Sequence, residues 1–252
     1  TFRKIVDQFP RLKKVHLHGI GEPLLNKNFF SMISYLKRMG IYVCFNDNMT
    51  LFDEKVAKSL ISLNLDELRI SLDADNAVSY ERIRKKDMFA TVLNNIRTLV
   101  ETKLRMKSKY PVLKIVIVAL KNNLKEIPGI VSLAFKLGID EIVVQNMQSW
   151  SRLEVRKNEE PRYSLIFEDI KKINNFFQKA RDLAKDCGIK VTLPLFDKTK
   201  LTCTWPWTSC FITTEGFLTP CCNCPDPKLF NFGNLLEDGI VSIWNGDKYA
   251  KF

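Results

Sequence analysis

Short apolar segments alternate along most of this chain with segments of helical periodicity, and no other feature of the sequence restricts the fold as strongly. The apolar segments lie at about 14–18, 41–45, 67–72, 113–120 and 141–145, with a further short one at 189–193. Each of the first five precedes apolar residues at helical spacing, such as Phe29, Ile33 and Leu36 after the first. Strands buried on both faces that alternate with helices form parallel sheets with right-handed crossovers. The sequence therefore predicts an α/β fold whose parallel sheet curls as a partial (β/α)6-type barrel.

The composition changes near residue 197. Downstream of it the chain is rich in Cys, Trp, Pro and Gly and has weak periodicity, which is typical of a small domain held together by metal. We predict two domains, a barrel over 1–197 and a Cys-rich domain over 198–252. Five of the seven cysteines fall within 203–224. An odd, clustered set without a secretion signal favours metal binding in a reducing, cytoplasmic compartment over a disulfide framework.

The charge balance indicates little about partners. The net charge is +11, but the lysines are spread along the chain and alternate with acidic residues, which is typical of a solvated surface. No nucleic-acid recognition motif accompanies the charge, so nucleic-acid binding is not expected. No run of about 18 apolar residues occurs, so we expect no transmembrane helix and no membrane partner.

Polar residues follow five of the predicted strands. The strand ends read HGIGEP at 18–23, NDN at 46–48, SLD at 71–73, KNN at 121–123 and QN at 145–146. Such residues also close turns and cap helices, but ligands of parallel folds bind at these ends. Five clusters together predict a binding rim. Gly19 and Gly21 would allow close backbone approach, and Glu22 would place a negative charge near an ammonium group.

The strand ends also carry a family resemblance. Residues 16–25 (HLHGIGEPLL) resemble the glycine–glutamate–proline motif of the radical S-adenosylmethionine (radical SAM) superfamily. Residues 47–52 (DNMTLF) resemble its threonine–asparagine–glycine–threonine–leucine–leucine run, with Asp47 in place of the threonine and Met49 in place of the glycine. Residues 70–73 (ISLD) and 80–84 (YERIR) resemble its fourth strand and following helix, with Ala74 in place of the usual glycine. The resemblance covers nearly the whole chain.

This resemblance implies that the rim binds S-adenosylmethionine. By it, Ser71 and Asp73 would face the ribose and Arg84 the carboxylate of the cofactor. The expected cofactor-binding positions are Gly19, Gly21, Glu22, Asn48, Ser71, Asp73, Arg84 and Asn122. The superfamily also has a first strand ending in Cys-x3-Cys-x2-Cys, which holds a 4Fe–4S cluster. No such triplet occurs in these 252 residues, so we expect the first strand, the cluster loop and the ligands of that cluster to lie outside this chain, upstream of it.

The cysteine-rich tail resembles a second module of the same superfamily. Cys203, Gly216 and Cys221 fit the pattern Cys-x(9–15)-Gly-x4-Cys, which opens the auxiliary-cluster domain called SPASM. Gly216 would permit a hairpin that brings Cys203 and Cys221 together. The resemblance implies an auxiliary 4Fe–4S cluster, for which the candidate ligands are Cys203, Cys210, Cys221, Cys222 and Cys224. No cysteine follows the last of these, so we expect the domain to be incomplete at its C-terminus, and zinc stays an alternative.

The resemblance implies a reaction as well. A full-length protein would reductively cleave S-adenosylmethionine to a 5′-deoxyadenosyl radical, which abstracts hydrogen from a peptide, protein or small-molecule substrate. The auxiliary cluster would assist, and an external flavodoxin- or ferredoxin-like protein would donate the electron. Two alternatives stay open: a non-catalytic iron–sulfur or zinc-binding module on a degenerate barrel, and an ordinary (β/α) barrel enzyme with a zinc-stapled tail. His16 and His18 share one strand face, where a barrel-lining or hydrogen-bonded role is expected over a metal pair.

Overall fold

The computed structural model describes residues 1–19, 21–147, 163–194 and 203–252. These residues form two units. The smaller contains Thr1–Lys13, with the short helix α1 (Phe2–Val6), together with 203–252. The larger contains Lys14–Met147 and 163–194. The predicted domain boundary at 197/198 lies outside the described residues.

A six-stranded parallel sheet forms the centre of the larger unit. Its strands lie side by side in chain order, and every neighbouring pair is parallel. They are β1 (Lys14–His16), β2 (Tyr42–Asp47), β3 (Glu67–Ser71), β4 (Val112–Ala119), β5 (Glu141–Asn146) and β6 (Lys190–Thr192). The predicted α/β fold with a six-stranded parallel sheet is confirmed, and each strand overlaps its predicted segment.

Helices connect the strands: α2 (Phe29–Arg38), α3 (Glu54–Ser62), α4 (Ala77–Arg84), α5 (Phe89–Arg105), α6 (Ile127–Lys136) and α7 (Ile170–Cys187). Their ends follow local rules. The Asp53 carboxylate accepts a hydrogen bond from the Val56 amide at 2.7 Å and so caps α3. Helix α7 begins at Ile170, because the Asp169 carboxylate caps it and the Ser164 hydroxyl caps a separate 3₁₀ turn before it.

The two faces of the sheet differ in polarity. One face consists of buried aliphatic and aromatic side chains that pack under the helices: Val43, Phe45, Leu68, Ile70, Leu113, Ile115, Ile117, Ile142 and Val144. The alternate positions of the same strands carry Tyr42, Glu67, Arg69, Lys114 and Glu141. The sequence interpretation of apolar burial on both faces therefore holds only in part for this second face, where paired charges lie beside the buried side chains of Cys44 and Val116.

Glu67 is the centre of this polar face. Its carboxylate, almost fully buried, accepts hydrogen bonds from Tyr42 Oη at 2.9 Å and Arg69 Nε at 2.5 Å, and pairs with Lys114 Nζ at 3.0 Å. Lys114 Nζ also lies 2.9 Å from the carboxylate of Glu141. Buried charges persist when they are paired and hydrogen-bonded in this way.

The smaller unit is built on a three-stranded antiparallel sheet. Strands β7 (Phe211–Ile212), β8 (Phe217–Thr219) and β9 (Gly233–Asn234) are joined with three short helices, α8 (Trp205–Thr208), α9 (Ile240–Trp244) and α10 (Asp247–Ala250). The predicted hairpin is present: Gly216 turns the chain between β7 and β8 at φ +94°. A Cβ there would lie 2.8 Å from Asn234 Oδ1, so only glycine fits.

The first residues of the chain belong to this smaller unit, not to the barrel as predicted. Ile5 of α1 packs in one apolar cluster with Leu218, Phe232, Leu235 and Ile243. The Gln8 side chain donates to the Leu235 carbonyl at 2.9 Å and accepts from the Ile240 amide at 2.8 Å. These contacts join residues more than 200 positions apart, which periodicity alone does not predict.

Candidate functional site

Buried polar atoms without a hydrogen-bond partner in the structure collect at the carboxyl ends of four neighbouring strands. They are Oδ2 of Asp47 at the end of β2, Nε of Arg84 beside the end of β3, Oδ1 of Asn122 after β4 and Oδ1 of Asn146 at the end of β5. An unsatisfied buried polar atom costs about 1–3 kcal/mol, so native proteins keep few of them. Four at one edge of one sheet indicate a site for a polar ligand.

An ion pair joins the end of β3 to helix α4. Arg84 Nη2 lies 2.6 Å from Asp73 Oδ2, and the other Asp73 oxygen accepts a hydrogen bond from the Val118 amide at 2.7 Å. The buried side chain of Asn123 donates to the Asp73 carbonyl at 3.0 Å. The structure thus brings the predicted residues Asp73 and Arg84 into contact, with Asn122 adjoining them.

The turn after β1 reaches the end of β2. Glu22 Oε1 caps the 3₁₀ turn Pro23–Leu25 by accepting from the Leu24 amide at 3.5 Å, and its Oε2 accepts from the Asn48 amide at 3.4 Å. Two predicted residues, Glu22 and Asn48, are therefore together. The side-chain oxygen of Asn48 accepts from both the amide and the hydroxyl of Thr50, so it closes a turn.

Asp47 and Glu22 form a carboxyl pair within this turn. Asp47 is 1% exposed, and its Oδ1 accepts from the Met49 amide at 2.6 Å. Burial, and then the neighbouring Glu22 carboxylate, raise the pKa of Asp47 to about 8. The pair therefore holds a proton at neutral pH.

The two glycines of the predicted motif and Ser71 occupy simpler positions. A Cβ added to Gly19 or Gly21 would meet no described protein atom within 4 Å, so space beside this backbone is open. Ser71 is half-buried at the end of β3. Their roles as cofactor-binding residues stay predictions.

Sequence reasoning missed Glu126 as a site residue. Its Oε1 accepts from Ser79 Oγ at 2.5 Å and pairs with Arg82 at 3.1 Å, while its Oε2 is buried without a partner. Arg82 Nη2 also donates to the Asn122 carbonyl at 3.1 Å, which ties Glu126 to the rim. The sequence signal is faint, because a glutamate before α6 is also typical of a helix start.

The histidines lie side by side, and His16 makes a hydrogen bond. His16 Nε2 lies 2.7 Å from Asn46 Oδ1, and the rings of His16 and His18 stack at 3.9 Å. Burial, then His18 and Arg69, lower the pKa of His16 to about 3, so its ring is neutral. Within the described part of the chain, no three His, Cys, Asp or Glu side chains lie close enough to hold a metal ion.

The cysteines of the smaller unit are all free thiols, and no three of them are grouped so as to hold a metal ion in the described part of the chain. Cys221, Cys222 and Cys224 occupy one turn, in which the Cys224 amide donates to the Cys221 carbonyl at 3.0 Å. Burial, and then Cys221, raise the pKa of both Cys222 and Cys224. Cys203 is exposed. These four stay predicted ligands.

Cys210 lies elsewhere. It packs against the apolar cluster of the smaller unit, and burial raises the pKa of its thiol to about 11. Burial, and then Cys210, raise the pKa of Tyr249 to about 12, and Tyr249 also packs against this cluster. This position favours a packing role for Cys210, although its role as a ligand stays a prediction.

Comparison with known proteins decides the family. Residues 1–134, more than half of the chain, match the family described as the radical SAM superfamily. The chain belongs to the radical SAM superfamily. Residues 203–252 match SPASM, an iron–sulfur cluster-binding domain, as the cysteine spacing indicates. The cofactors of this radical SAM–SPASM architecture are S-adenosylmethionine and 4Fe–4S clusters.

Several known proteins are similar to this one. A tungsten-containing aldehyde ferredoxin oxidoreductase cofactor-modifying protein of Pyrococcus furiosus is 25% identical, over 100% of this chain and 73% of its own. A PqqA peptide cyclase of Xanthomonas campestris is 22% identical, over 100% of this chain and 66% of its own. The structure of anSMEcpe with bound AdoMet aligns at a TM-score of 0.71 and 18% identity, over 100% of this chain and 72% of that one, which shows a shared fold.

The residues at the strand ends fit S-adenosylmethionine. The unsatisfied oxygens of Asp47, Asn122 and Asn146 and the guanidinium of Arg84 match a ligand with an ammonium, a carboxylate, a ribose and a base. The thiols of the 221–224 turn are the type of donor that iron–sulfur clusters require, but their arrangement among the described residues does not form a metal-binding group. Separately, none of the described helices is long and apolar enough to cross a membrane.

Proposed function

We propose that this radical SAM protein binds S-adenosylmethionine at the carboxyl ends of β2–β5 and uses it to abstract hydrogen from a peptide or protein. The observation that carries the proposal is the set of four unsatisfied buried polar atoms at that edge of the sheet. When bound next to a reduced 4Fe–4S cluster, S-adenosylmethionine supplies a carbon radical strong enough to remove a hydrogen atom from an unactivated C–H bond.

The chain's own residues bind and orient the cofactor. Asp73 holds Arg84 by a 2.6 Å ion pair, and this pairing fixes the guanidinium so that its buried Nε is available to a carboxylate. Asn122 and Asn146 offer carbonyl oxygens to hydroxyl or amino hydrogens. Glu22 and Asp47 offer carboxylates to an ammonium. The apolar side chains beneath the rim exclude water from the reacting groups.

The SPASM unit would hold the auxiliary cluster. Cys221, Cys222 and Cys224 share one turn, and Cys203 precedes β7, so these four thiols are the proposed ligands. The cluster would either accept an electron from the substrate or bind the substrate. An external flavodoxin- or ferredoxin-like donor and a reducing, cytoplasmic compartment complete the proposal and agree with the free thiols.

A peptide or protein substrate is preferred over a small molecule. The support is one similar protein, a PqqA peptide cyclase. The cofactor-modifying protein of Pyrococcus furiosus favours a small-molecule substrate instead, which is the second candidate. Added peptide should therefore accelerate cofactor cleavage above its uncoupled rate, and mass spectrometry should find a peptide changed by loss of hydrogen or by a new bond.

The direct test is anaerobic incubation of the full-length, iron-reconstituted protein with S-adenosylmethionine and dithionite, followed by chromatography for 5′-deoxyadenosine. We expect its formation, and we expect Arg84→Met to reduce both cofactor affinity and product. Arg97→Met is the matched control, because Arg97 lies on the exposed face of α5. Absence of 5′-deoxyadenosine in the wild-type reaction would exclude the proposal, and equal losses in both variants would exclude the role of Arg84.

A further inference from the structure

The polar face of the six-stranded sheet continues below the rim. Arg69 lies two residues before Ser71 on β3, so the two side chains share this face and are separated by about 7 Å along the strand. The register sets Asn46 of β2 and Lys114 of β4 on either side of Arg69. The proposed function assigns these side chains no role, although they lie next to the edge where the cofactor is proposed to bind.

Arg69 has unused hydrogen-bond donors. Its Nε donates to Glu67 Oε1 at 2.5 Å, which uses one of the five N–H groups of a guanidinium. Among the described residues, its two amino groups make no hydrogen bond. The Arg69 side chain is 21% exposed, so a ligand can reach these amino groups.

The neighbours of Arg69 add further donors. His16 Nε2 lies 2.7 Å from Asn46 Oδ1, which is an acceptor, so His16 donates there and the Asn46 amino group is left as a donor. Burial, and then Arg69, lower the pKa of His18, whose ring stacks on that of His16 at 3.9 Å. The guanidinium therefore lies near this pair of rings, in a group of donors that suits an anion.

The charges of this face also favour an anion. Among the described residues, its cations are Lys14, Arg69, Lys114 and Lys190, and its carboxylates are Glu67 and Glu141. The cations outnumber the carboxylates. The two amino groups of a guanidinium match the two oxygens of a carboxylate, so a carboxylate is the anion that Arg69 fits best.

We propose that Arg69, with Asn46 beside it, binds a carboxylate of the peptide substrate, which belongs either to an acidic side chain or to a C-terminus. The proposal rests on the proposed function, because it takes a peptide as the substrate. A carboxylate held at Arg69 would place the adjoining carbon atoms of the peptide near the rim, and this position would decide which C–H bond reacts.

The experiment is a saturation-transfer NMR titration of the full-length, cluster-containing protein with three acetylated tripeptides, anaerobically and with S-adenosylmethionine present. The first peptide has a glutamate side chain and an amidated end, the second has only glycines and a free C-terminal carboxylate, and the third has glutamine and an amidated end. We expect the wild type to bind the first or the second about tenfold more tightly than the third. The tighter of the two identifies the source of the carboxylate.

Variants test the role of Arg69 in this preference. Arg69→Gln should bind all three peptides alike. Arg69→Lys retains a positive charge beside Glu67, so it should fold, but it should bind the preferred peptide about tenfold more weakly because an ammonium lacks the planar fork. The matched control is Arg105→Gln, which removes an arginine of α5 that pairs with Glu54 at 2.8 Å and should match the wild type.

Equal affinity of the wild type for the three peptides would overturn the inference, and this comparison does not depend on the folding of any variant. Wild-type affinity in Arg69→Lys would overturn it as well. A parallel incubation with dithionite measures 5′-deoxyadenosine. Its formation by a wild type that does not discriminate among the peptides would leave the proposed function intact, whereas its absence would exclude the proposed function.

Discussion

Replacement of Glu67 by glutamine should destabilise the larger unit by about 3 kcal/mol at pH 7. Burial alone would raise the pKa of this carboxyl, but hydrogen bonds from Arg69, Lys114 and Tyr42 outweigh burial and lower the pKa from 4.5 to about 2. Since one pKa unit corresponds to about 1.4 kcal/mol, a pKa lowered from 4.5 to about 2 corresponds to roughly 3–4 kcal/mol. Removal of one partner from a buried ion pair costs a similar amount, about 3–5 kcal/mol.

The effect should depend on pH with a definite sign. A carboxyl group whose pKa is lower in the folded state stabilises the fold fully above its unfolded pKa, here 4.5. That contribution declines as the pH falls from 4.5 towards 2. The stability difference between the wild type and Glu67→Gln should therefore be constant from pH 7 to about pH 5.5 and shrink below pH 4.5.

Urea-induced unfolding followed by far-UV circular dichroism measures this difference. Glu141→Gln is the matched control, because its side chain is 22% exposed and pairs with Lys114 at 2.9 Å and Lys190 at 3.5 Å. Solvent weakens such pairs, so we expect about 1 kcal/mol or less. Equal losses in the two variants, or a Glu67→Gln loss as large at pH 3.5 as at pH 7, would refute the role assigned to the buried network.

Three further predictions follow from the two units. Arg84→Lys should weaken S-adenosylmethionine binding about tenfold, measured by equilibrium dialysis, because lysine cannot bind Asp73 and a carboxylate in the same planar geometry; unchanged affinity would contradict this. Cys221→Ala should reduce the iron content of the reconstituted protein. Cys210→Ala should lower the melting temperature and leave the iron content unchanged, because Cys210 packs against the apolar cluster. A loss of iron in Cys210→Ala would show instead that Cys210 is a ligand. Gly216→Ala should destabilise the same unit by about 1–3 kcal/mol in thermal unfolding, since alanine is strained at φ +94°; an unchanged melting temperature would contradict this.

The strands of the larger unit were predictable because their aliphatic residues recur in short runs that face the helices. The second face of the sheet was not, because Glu67, Arg69 and Lys114 look like surface residues when read singly. Only the register, which sets Arg69 opposite Lys114, brings these charges together. The packing of Ile5 against Leu218 was equally out of reach, since it depends on tertiary contacts across the length of the chain.

The candidate site, like the fold, was only partly predictable from the sequence. Resemblance to a family motif identified Glu22, Asp73 and Arg84, which the structure places at the ends of neighbouring strands. It gave no partner for any of them, because a motif fixes positions along the chain and not contacts. Asn146 belongs to the rim that the strand ends predict, whereas Glu126 emerges only from the structure, in which its buried oxygen has no hydrogen-bond partner.

The two departures from the motif at the end of β2, Asp47 and Met49, are linked by a hydrogen bond. Met49 has φ +62°, a left-handed conformation that favours the glycine of the motif and strains a methionine. Three features hold it there: full burial, the Asn95 side chain donating to its carbonyl at 2.7 Å, and its amide donating to Asp47 Oδ1 at 2.6 Å. An aspartate at position 47 thus supports the unusual backbone at position 49, and its carboxyl group also contacts Glu22. Taken singly, Asp47 and Met49 are two mismatches to the motif. Their hydrogen bond, however, stabilises the left-handed backbone that the glycine of the motif favours, and it adds a carboxylate to this turn.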